Sequence, residues 1–259
     1  MPDRFRHGTM PILDFDGVLM NSLDEVVLTS FNAARKTLHT ALAEIPADLV
    51  RLFKHNRFHV QSIGGAIPLM NWCIETYQTA ADRILSGEEY QAIIDRSPVP
   101  TLERTELIYA TRQCFIETDL NTWLGLHRPY QPLWNALLGH ESRRIAILTN
   151  KNRSATLRLC RHFGFEIEDR QVYAGDHGAT KTKNMERIMR RFSDESYCFI
   201  DDSVKNLQDL DDHYNMPGKR ITLCLAAWGY CGSDDESAAR RRGYRVCWQE
   251  DLIREFFAD

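Results

Sequence analysis

Residues 11–20 read PILDFDGVLM, an apolar run that stops at Asp14, Phe15 and Asp16 and then meets Gly17. Side chains of an extended segment alternate between faces, so Asp14 and Asp16 would bring like charges together on one face in the middle of a strand. At a strand's carboxyl end the backbone can turn at the glycine, and open α/β sheets bind ligands outside such ends. Two carboxylates held at one mouth can bind Mg²⁺, attack as a nucleophile or exchange a proton. The same residues also fit a solvated Asp-x-Asp-Gly turn between ordinary elements, so the rest of the chain has to decide.

Beyond the glycine the pattern turns helical. Ser22 with Glu25 reads as a capping box, and Leu23, Val27, Phe31 and Ala34 recur at helical spacing through Leu38. Helical periods follow over Ala47 to Phe53, Pro68 to Ala81, Glu88 to Asp95 and Thr101 to Thr118, with no strand between about Ala41 and Leu126. After Pro129 and Pro132 comes a short helix, Leu133 to Leu138, and strand then alternates with helix. The strands read as Arg144 to Thr149, Gln171 to Ala174, Tyr197 to Ile200, Ile221 to Ala226 and Arg245 to Cys247; helices Ser154 to Phe163, Lys183 to Phe192 and Val204 to Asp212 lie between them. Continuous apolar strands separated by helices predict an α/β fold, a doubly wound parallel sheet covered on both faces. The expected core is residues 1–21 and 129–259, and residues 22–128 are a helical insertion that leaves and returns at one edge of the mouth, as a lid does.

Composition narrows the functional classes. Of 259 residues, 43% are hydrophobic and 26% charged, as in an ordinary soluble globular protein, and the net charge of -4 offers no attraction to nucleic acid or an anionic membrane. No segment approaches the roughly 18 apolar residues of a membrane span. Residues 1–9 are polar and basic, without an apolar signal region, and the seven cysteines are scattered without a Cys-x-x-Cys pair, which predicts reduced thiols and a cytoplasmic location. Arg240, Arg241 and Arg242 read as a solvated helix face.

Three later strand ends also carry chemistry. Arg144 to Leu148 closes in Thr149, Asn150 and Lys151; a hydroxyl there can donate to a phosphoryl oxygen, or can simply end a strand. The stretch GDHGATKTKNMERIM places Lys181 and Lys183 before an amphipathic helix, where the helix dipole disfavours a lysine unless an anion or solvent answers it. Tyr197 to Ile200 closes in Asp201 and Asp202, which can complete an oxygen-rich Mg²⁺ site or cap the next helix, with Asn206 and Asp209 following. In the helical block, Arg57 and His59 stand before Ile63-Gly64-Gly65, where they fit either a substrate contact or surface charge, and Trp72, Trp123 and Trp134 read as core.

In this order the features resemble the haloacid dehalogenase superfamily, on its phosphoglycolate phosphatase-like branch with a C1 helical cap. Asp14-Phe15-Asp16-Gly17-Val18 matches its DxDG[TV] motif, Ile145 to Thr149 the apolar run closing in Thr or Ser, and Asp201-Asp202 the acidic fourth motif. The third motif is a lysine, Lys183 by its relation to the helix or Lys181 by its distance to the fourth motif, and the reading favours Lys183. Thr149-Asn150-Lys151, the Pro132 helix and the late stretch AAWGYCG are similar to that branch. The chain departs from it at Asn21, where an acid is usual, and at Asp201, where Gly is usual.

The resemblance implies a Mg²⁺-dependent phosphatase acting on a small phosphorylated metabolite, as monomer or homodimer. Asp14 would be the nucleophile and Asp16 the general acid and base. Thr149, Asn150 and the lysine would bind the phosphoryl group. Asp14, the Asp16 carbonyl, Asp202 and Asp201 would hold the metal. A sugar phosphomutase, a haloacid dehalogenase and a catalytically silent binding protein share the scaffold; a dehalogenase needs neither Asp16 nor the Asp201-Asp202 pair.

Overall fold

The computed structural model describes residues 8–139, 144–193, 196–216, 218 and 220–258; the polar reading of residues 1–7 lies outside them. The chain divides into two compact units, Met1–Asn21 with Pro129–Asp259, and Ser22–Arg128.

The first unit is built on six parallel strands: β1 Thr9–Leu13, β2 Ala146–Leu148, β3 Val172–Tyr173, β4 Ser196–Asp201, β5 Ile221–Ala226 and β6 Arg245–Cys247. Their spatial order is β3-β2-β1-β4-β5-β6. The chain therefore moves outward from β1 in one direction, then returns to pair β4 on the other side of β1. Right-handed crossovers in opposite directions put helices on opposite faces of the sheet, which is the doubly wound arrangement. The reversal falls between β1 and β4, where Leu13 is in register with Ile200. Strand residues such as Ile12, Leu13, Ile147, Leu148, Phe199 and Ile200 are fully buried. Their runs are apolar throughout because both faces are covered, and each such side chain contributes about 1.5–3 kcal/mol relative to exposure. Helices Lys181–Arg191 and Val204–Leu210 place Met185, Ile188, Leu207 and Leu210 in one cluster with Ile12, Phe199, Leu223 and Leu225.

The helix predicted from Lys183 begins at Lys181, because the Thr180 hydroxyl accepts from the Lys183 amide and caps it. That shift of two residues decides which lysine can enter the mouth. The cysteines are unbridged, and Cys73, Cys160, Cys198, Cys224 and Cys247 are buried. Trp134 is core, and no helix among the described residues is long and apolar enough to cross a membrane.

The second unit is helical: Leu23–Arg35, Ala47–His55, Ala66–Ala80, Gly87–Asp95, Thr101–Thr118 and Leu120–Gly125. Trp123 is fully buried in it and Trp72 is half-buried. Helix Leu120–Gly125 was too short to show a period, and is set by Asp119, whose carboxylate accepts from the Thr122 amide at 3.0 Å. The expected capping box at Ser22 does not form: Ser22 makes no cap bond. Glu25 is instead fully buried, accepting from Arg112 Nε at 2.7 Å and Nη2 at 3.1 Å and from Thr29 Oγ1 at 2.7 Å. Local spacing cannot reveal a partner 87 positions away.

Candidate active site

The turn after β1 is shaped by its glycine. Gly17 has φ +91°, and a Cβ there would stand 2.0 Å from Asp202 Oδ2. Only a residue without a side chain allows this approach. Gly229 is equally confined: its Cβ would lie 2.3 Å from the Asp202 Cβ and 2.5 Å from the Gly17 carbonyl oxygen. The β1 turn and the AAWGYCG stretch thus meet backbone to backbone, and both close on the Asp202 side chain at the end of β4. The turn is closed by Leu19 and Met20 amides donating to the Phe15 carbonyl at 2.9 and 2.8 Å. Trp228 Nε1 donates to the Val18 carbonyl at 3.0 Å, the Tyr230 amide to Asp202 Oδ2 at 2.8 Å, and the Tyr230 hydroxyl reaches Asn21 Oδ1 at 3.4 Å.

Within this frame Asp14, Asp201 and Asp202 converge, each offering an oxygen within 4.8 Å of the others, and all three are buried. Asp14 continues the β1 ladder, its amide donating to the Ile200 carbonyl at 2.9 Å. Lys181 joins two of the acids, with Nζ 3.0 Å from Asp14 Oδ1 and 2.5 Å from Asp201 Oδ2. Asp201 also accepts from the Ser203 amide at 2.9 Å and from Asn206 Nδ2 at 3.0 Å. Burial pushes the Asp14 carboxyl up, to about 7; Lys181 opposes that rise and Asp201 adds to it. Burial alone would pull the Lys181 ammonium down, but Asp14 and Asp201 outweigh it and hold it above its ordinary value.

Asp16 points to a second cation. Lys151, whose side chain is wholly buried, places Nζ 3.1 and 3.2 Å from the two Asp16 carboxylate oxygens. Thr149 is buried at the end of β2, its amide bonded to the Tyr173 carbonyl at 3.0 Å and its Oγ1 accepting from the Lys151 amide at 3.1 Å. The Asn150 backbone backs onto Gly175, where a Cβ would come within 2.7 Å of the Asn150 carbonyl oxygen.

The lysine expectation is corrected by this geometry. Lys183 is exposed and Lys181 is buried among the acids, because the cap at Thr180 puts Lys181 at the first helical position, facing the strand ends. Lys151 was missed as a site residue. Its only signal was its place two residues beyond a strand-ending threonine, and nothing local shows that it would reach Asp16 across 135 positions. Asn206, one of the two residues noted after the fourth motif, supports Asp201, whereas Asp209 makes an exposed pair with Lys205.

The family model of haloacid dehalogenase-like hydrolases matches residues 12–208. Solved structures of similar fold include a protein provisionally named as a phosphoglycolate phosphatase from Lactobacillus delbrueckii subsp. bulgaricus, 13% identical, covering 97% of this chain and 99% of that one, with TM-score 0.60. Another is a predicted phosphoglycolate phosphatase from Haemophilus somnus, 14% identical over 96% of this chain and 98% of that one, TM-score 0.55. At such identities the likeness is one of fold. No curated protein matches the chain in sequence.

Proposed function

We propose that this chain, which belongs to the haloacid dehalogenase-like hydrolase family, hydrolyses small phosphomonoesters with Mg²⁺ through a phosphoaspartate on Asp14. The observation that carries the reading is the convergence of Asp14, Asp201 and Asp202 with Lys181 at the reversal point of the sheet.

The donor set suits a hard divalent cation, since among the described residues it offers carboxylate oxygens and no nitrogen or sulfur ligand. Asp14, Asp202 and the Asp16 carbonyl would hold Mg²⁺; Asp201, already bonded to Lys181, Ser203 and Asn206, would steady that edge of the site. Bound there, the ion would offset the repulsion between an anionic nucleophile and an anionic substrate.

An Asp14 oxygen attacks phosphorus in line; the O–P bond to Asp14 forms as the bond to the leaving oxygen breaks. Asp16 gives its proton to that oxygen, releasing an alcohol. Water then attacks the phosphoaspartate, Asp16 takes the water's proton, and Asp14 is regenerated as inorganic phosphate leaves. Lys181 and the Thr149 hydroxyl stabilise the charge on the phosphoryl oxygens during both transfers. Buried lysines and a closed turn keep these groups oriented before substrate arrives, so little is lost to reorganisation.

The test is release of inorganic phosphate from a panel of phosphorylated metabolites, with Mg²⁺ and with EDTA. Turnover should stop in EDTA and return with Mg²⁺. Activity unchanged by EDTA would remove the metal from the reading, and no release from any ester would remove the phosphatase.

A further inference from the structure

The first unit holds a cavity of about 750 Å³ at the β3 edge of its sheet. One wall is a single face of helix Arg153–His162, where Arg153, Leu157, Arg158 and Arg161 follow at helical spacing. The loop after β3, with Asp176 and His177, and Arg187 of helix Lys181–Arg191 form the rest. None of Asp14, Asp16, Thr149, Lys151, Lys181, Asp201 and Asp202 lines it, and β2 stands between β3 and β1. The cavity is therefore separate from the candidate active site.

Its charges are unequal. Four guanidiniums line it against two carboxylates. The Asp176 carboxylate accepts from the Arg153 backbone amide at 2.8 Å, so it closes the start of the helix and answers no basic side chain. Asp169 Oδ1 lies 3.9 Å from Arg161, the one ion pair of the lining among the described residues. Arg153 Nη1 donates to the Asp169 backbone carbonyl at 2.5 Å and Arg187 Nη1 to Asn184 Oδ1 at 3.1 Å, both neutral acceptors. Arg158 makes no hydrogen bond or ion pair with any described residue. Elsewhere exposed arginines such as Arg51, Arg83, Arg190 and Arg254 sit on carboxylates. On a chain of net charge -4, three guanidiniums that no carboxylate answers give this hollow a local positive field, which its concave wall focuses.

Size and lining narrow the anion. Small-molecule sites run to about 300–1,000 Å³, and a lone phosphate would leave most of this volume unfilled. Buried Leu157 and Ala174 add an apolar wall that an inorganic anion cannot use. Guanidiniums present planar forks that match phosphate oxygens two at a time. Two of them are already held: Arg153 by the Asp169 carbonyl, and Arg187 by Asn184 and by the Tyr173 ring, whose centroid lies 5.7 Å from its guanidinium carbon. His177 takes φ +55° and ψ +32°, a left-handed backbone that non-glycine residues seldom adopt and that recurs in loops that clamp ligands.

We propose that this cavity is a second ligand site, which binds an organic molecule carrying two or more phosphate groups. The phosphates are taken by Arg153, Arg158 and Arg187, and the carbon frame lies against Leu157 and Ala174. A nucleoside polyphosphate and a sugar bisphosphate share this chemistry. The site is independent of the phosphatase reading.

Isothermal titration calorimetry of the full chain tests it, with ATP and fructose bisphosphate as probes. EDTA is present throughout, so that no metal draws a phosphate to Asp14 and Asp202. At least one probe should bind saturably to the wild type, and the tighter of the two assigns the source. Arg158→Gln with Arg187→Gln should weaken that binding at least about tenfold, as loss of hydrogen bonds to a charged group does. Lys181→Met, and Arg240→Gln with Arg241→Gln on another exposed helix, should each bind as the wild type does. Tripolyphosphate, which has the charges without a carbon frame, should bind more weakly than the better probe.

Four results would overturn the proposal: no saturable binding of either probe, equal affinity in the wild type and the Arg158/Arg187 variant, an equal loss in the Arg240/Arg241 control, or a loss in Lys181→Met. Tripolyphosphate binding as tightly as the better probe would reduce the cavity to a charged patch and overturn it too. Arg158→Gln alone removes no bond within the protein and carries the comparison if the double variant does not fold, with a loss of at least about threefold expected and none overturning.

Discussion

Two buried ionic clusters in this molecule both set carboxylates against basic side chains and differ in balance. In the helical unit Glu25 meets Arg112 one to one, both carboxylate oxygens are bonded, and Thr29 completes the set. At the strand ends four carboxylates, Asp14, Asp16, Asp201 and Asp202, converge with the two lysines Lys181 and Lys151. A closed pair holds structure together and has nothing left to offer a ligand. A cluster in which acids outnumber cations stores unfavourable charge that a bound cation would relieve, which is how binding and catalytic sites differ from structural ion pairs.

The comparison breaks first at Asp14. Asp14→Asn keeps nearly the same shape and removes the proposed nucleophile, so phosphate release should fall by at least about 10⁴-fold while the fold, read by circular dichroism, is retained. Near-normal activity would place the nucleophile elsewhere.

Next comes Asp16→Asn, which should cost about 10² to 10⁴ in rate. The loss should depend on the leaving group. Para-nitrophenolate leaves without a proton, so its phosphate should form the intermediate with less impairment than an alkyl phosphate, and the phosphoenzyme should accumulate under rapid quench. Equal losses with both substrates and no trapped phosphoaspartate would return Asp16 to a role in the turn.

The two lysines near the third strand end sharpen the contrast further. Lys181→Met should lower kcat/KM by about 10² to 10³, as loss of a preorganised charge does, whereas Lys183→Met should change it by less than about twofold. The opposite ranking, measured on one ester, would restore the sequence-based choice.

The smallest effect on chemistry and the clearest on stability belongs to the closed pair. Arg112→Met leaves Glu25 buried without its cation and should cost about 3–5 kcal/mol in urea denaturation. Removing both charges, as in Glu25→Leu with Arg112→Met, should restore much of that loss. A double variant no more stable than the single one would show that Arg112 stabilises through packing and not by answering Glu25.

The sheet was legible because a buried parallel strand is apolar throughout and a helix has a period, and both are local properties. The long helices of Ser22–Arg128 were found for the same reason, to within two residues at most ends; Leu120–Gly125 was not, because six residues carry too little periodicity. At the candidate site, the acids could be read at their strand ends from Asp14, Asp16, Asp201 and Asp202, but the cations could not be assigned. Thr180 starts its helix two residues earlier than the periodicity predicts and so turns Lys181 to the acids. Lys151 finds Asp16 only after β2 has paired beside β1.

The chain by itself determined an α/β sheet, its helical insertion, and carboxylates delivered to the ends of two strands, since each follows from a pattern within some ten neighbouring residues. Tertiary structure alone decided the partners of the charges. It joined Lys181 to Asp14 and Asp201, Lys151 to Asp16 and Arg112 to Glu25, and it left Arg104 buried with two nitrogens unanswered. The physical reason is that hydrophobic periodicity acts between neighbours, whereas a buried charge is satisfied by whichever group the fold brings within about 3 Å, however distant in sequence.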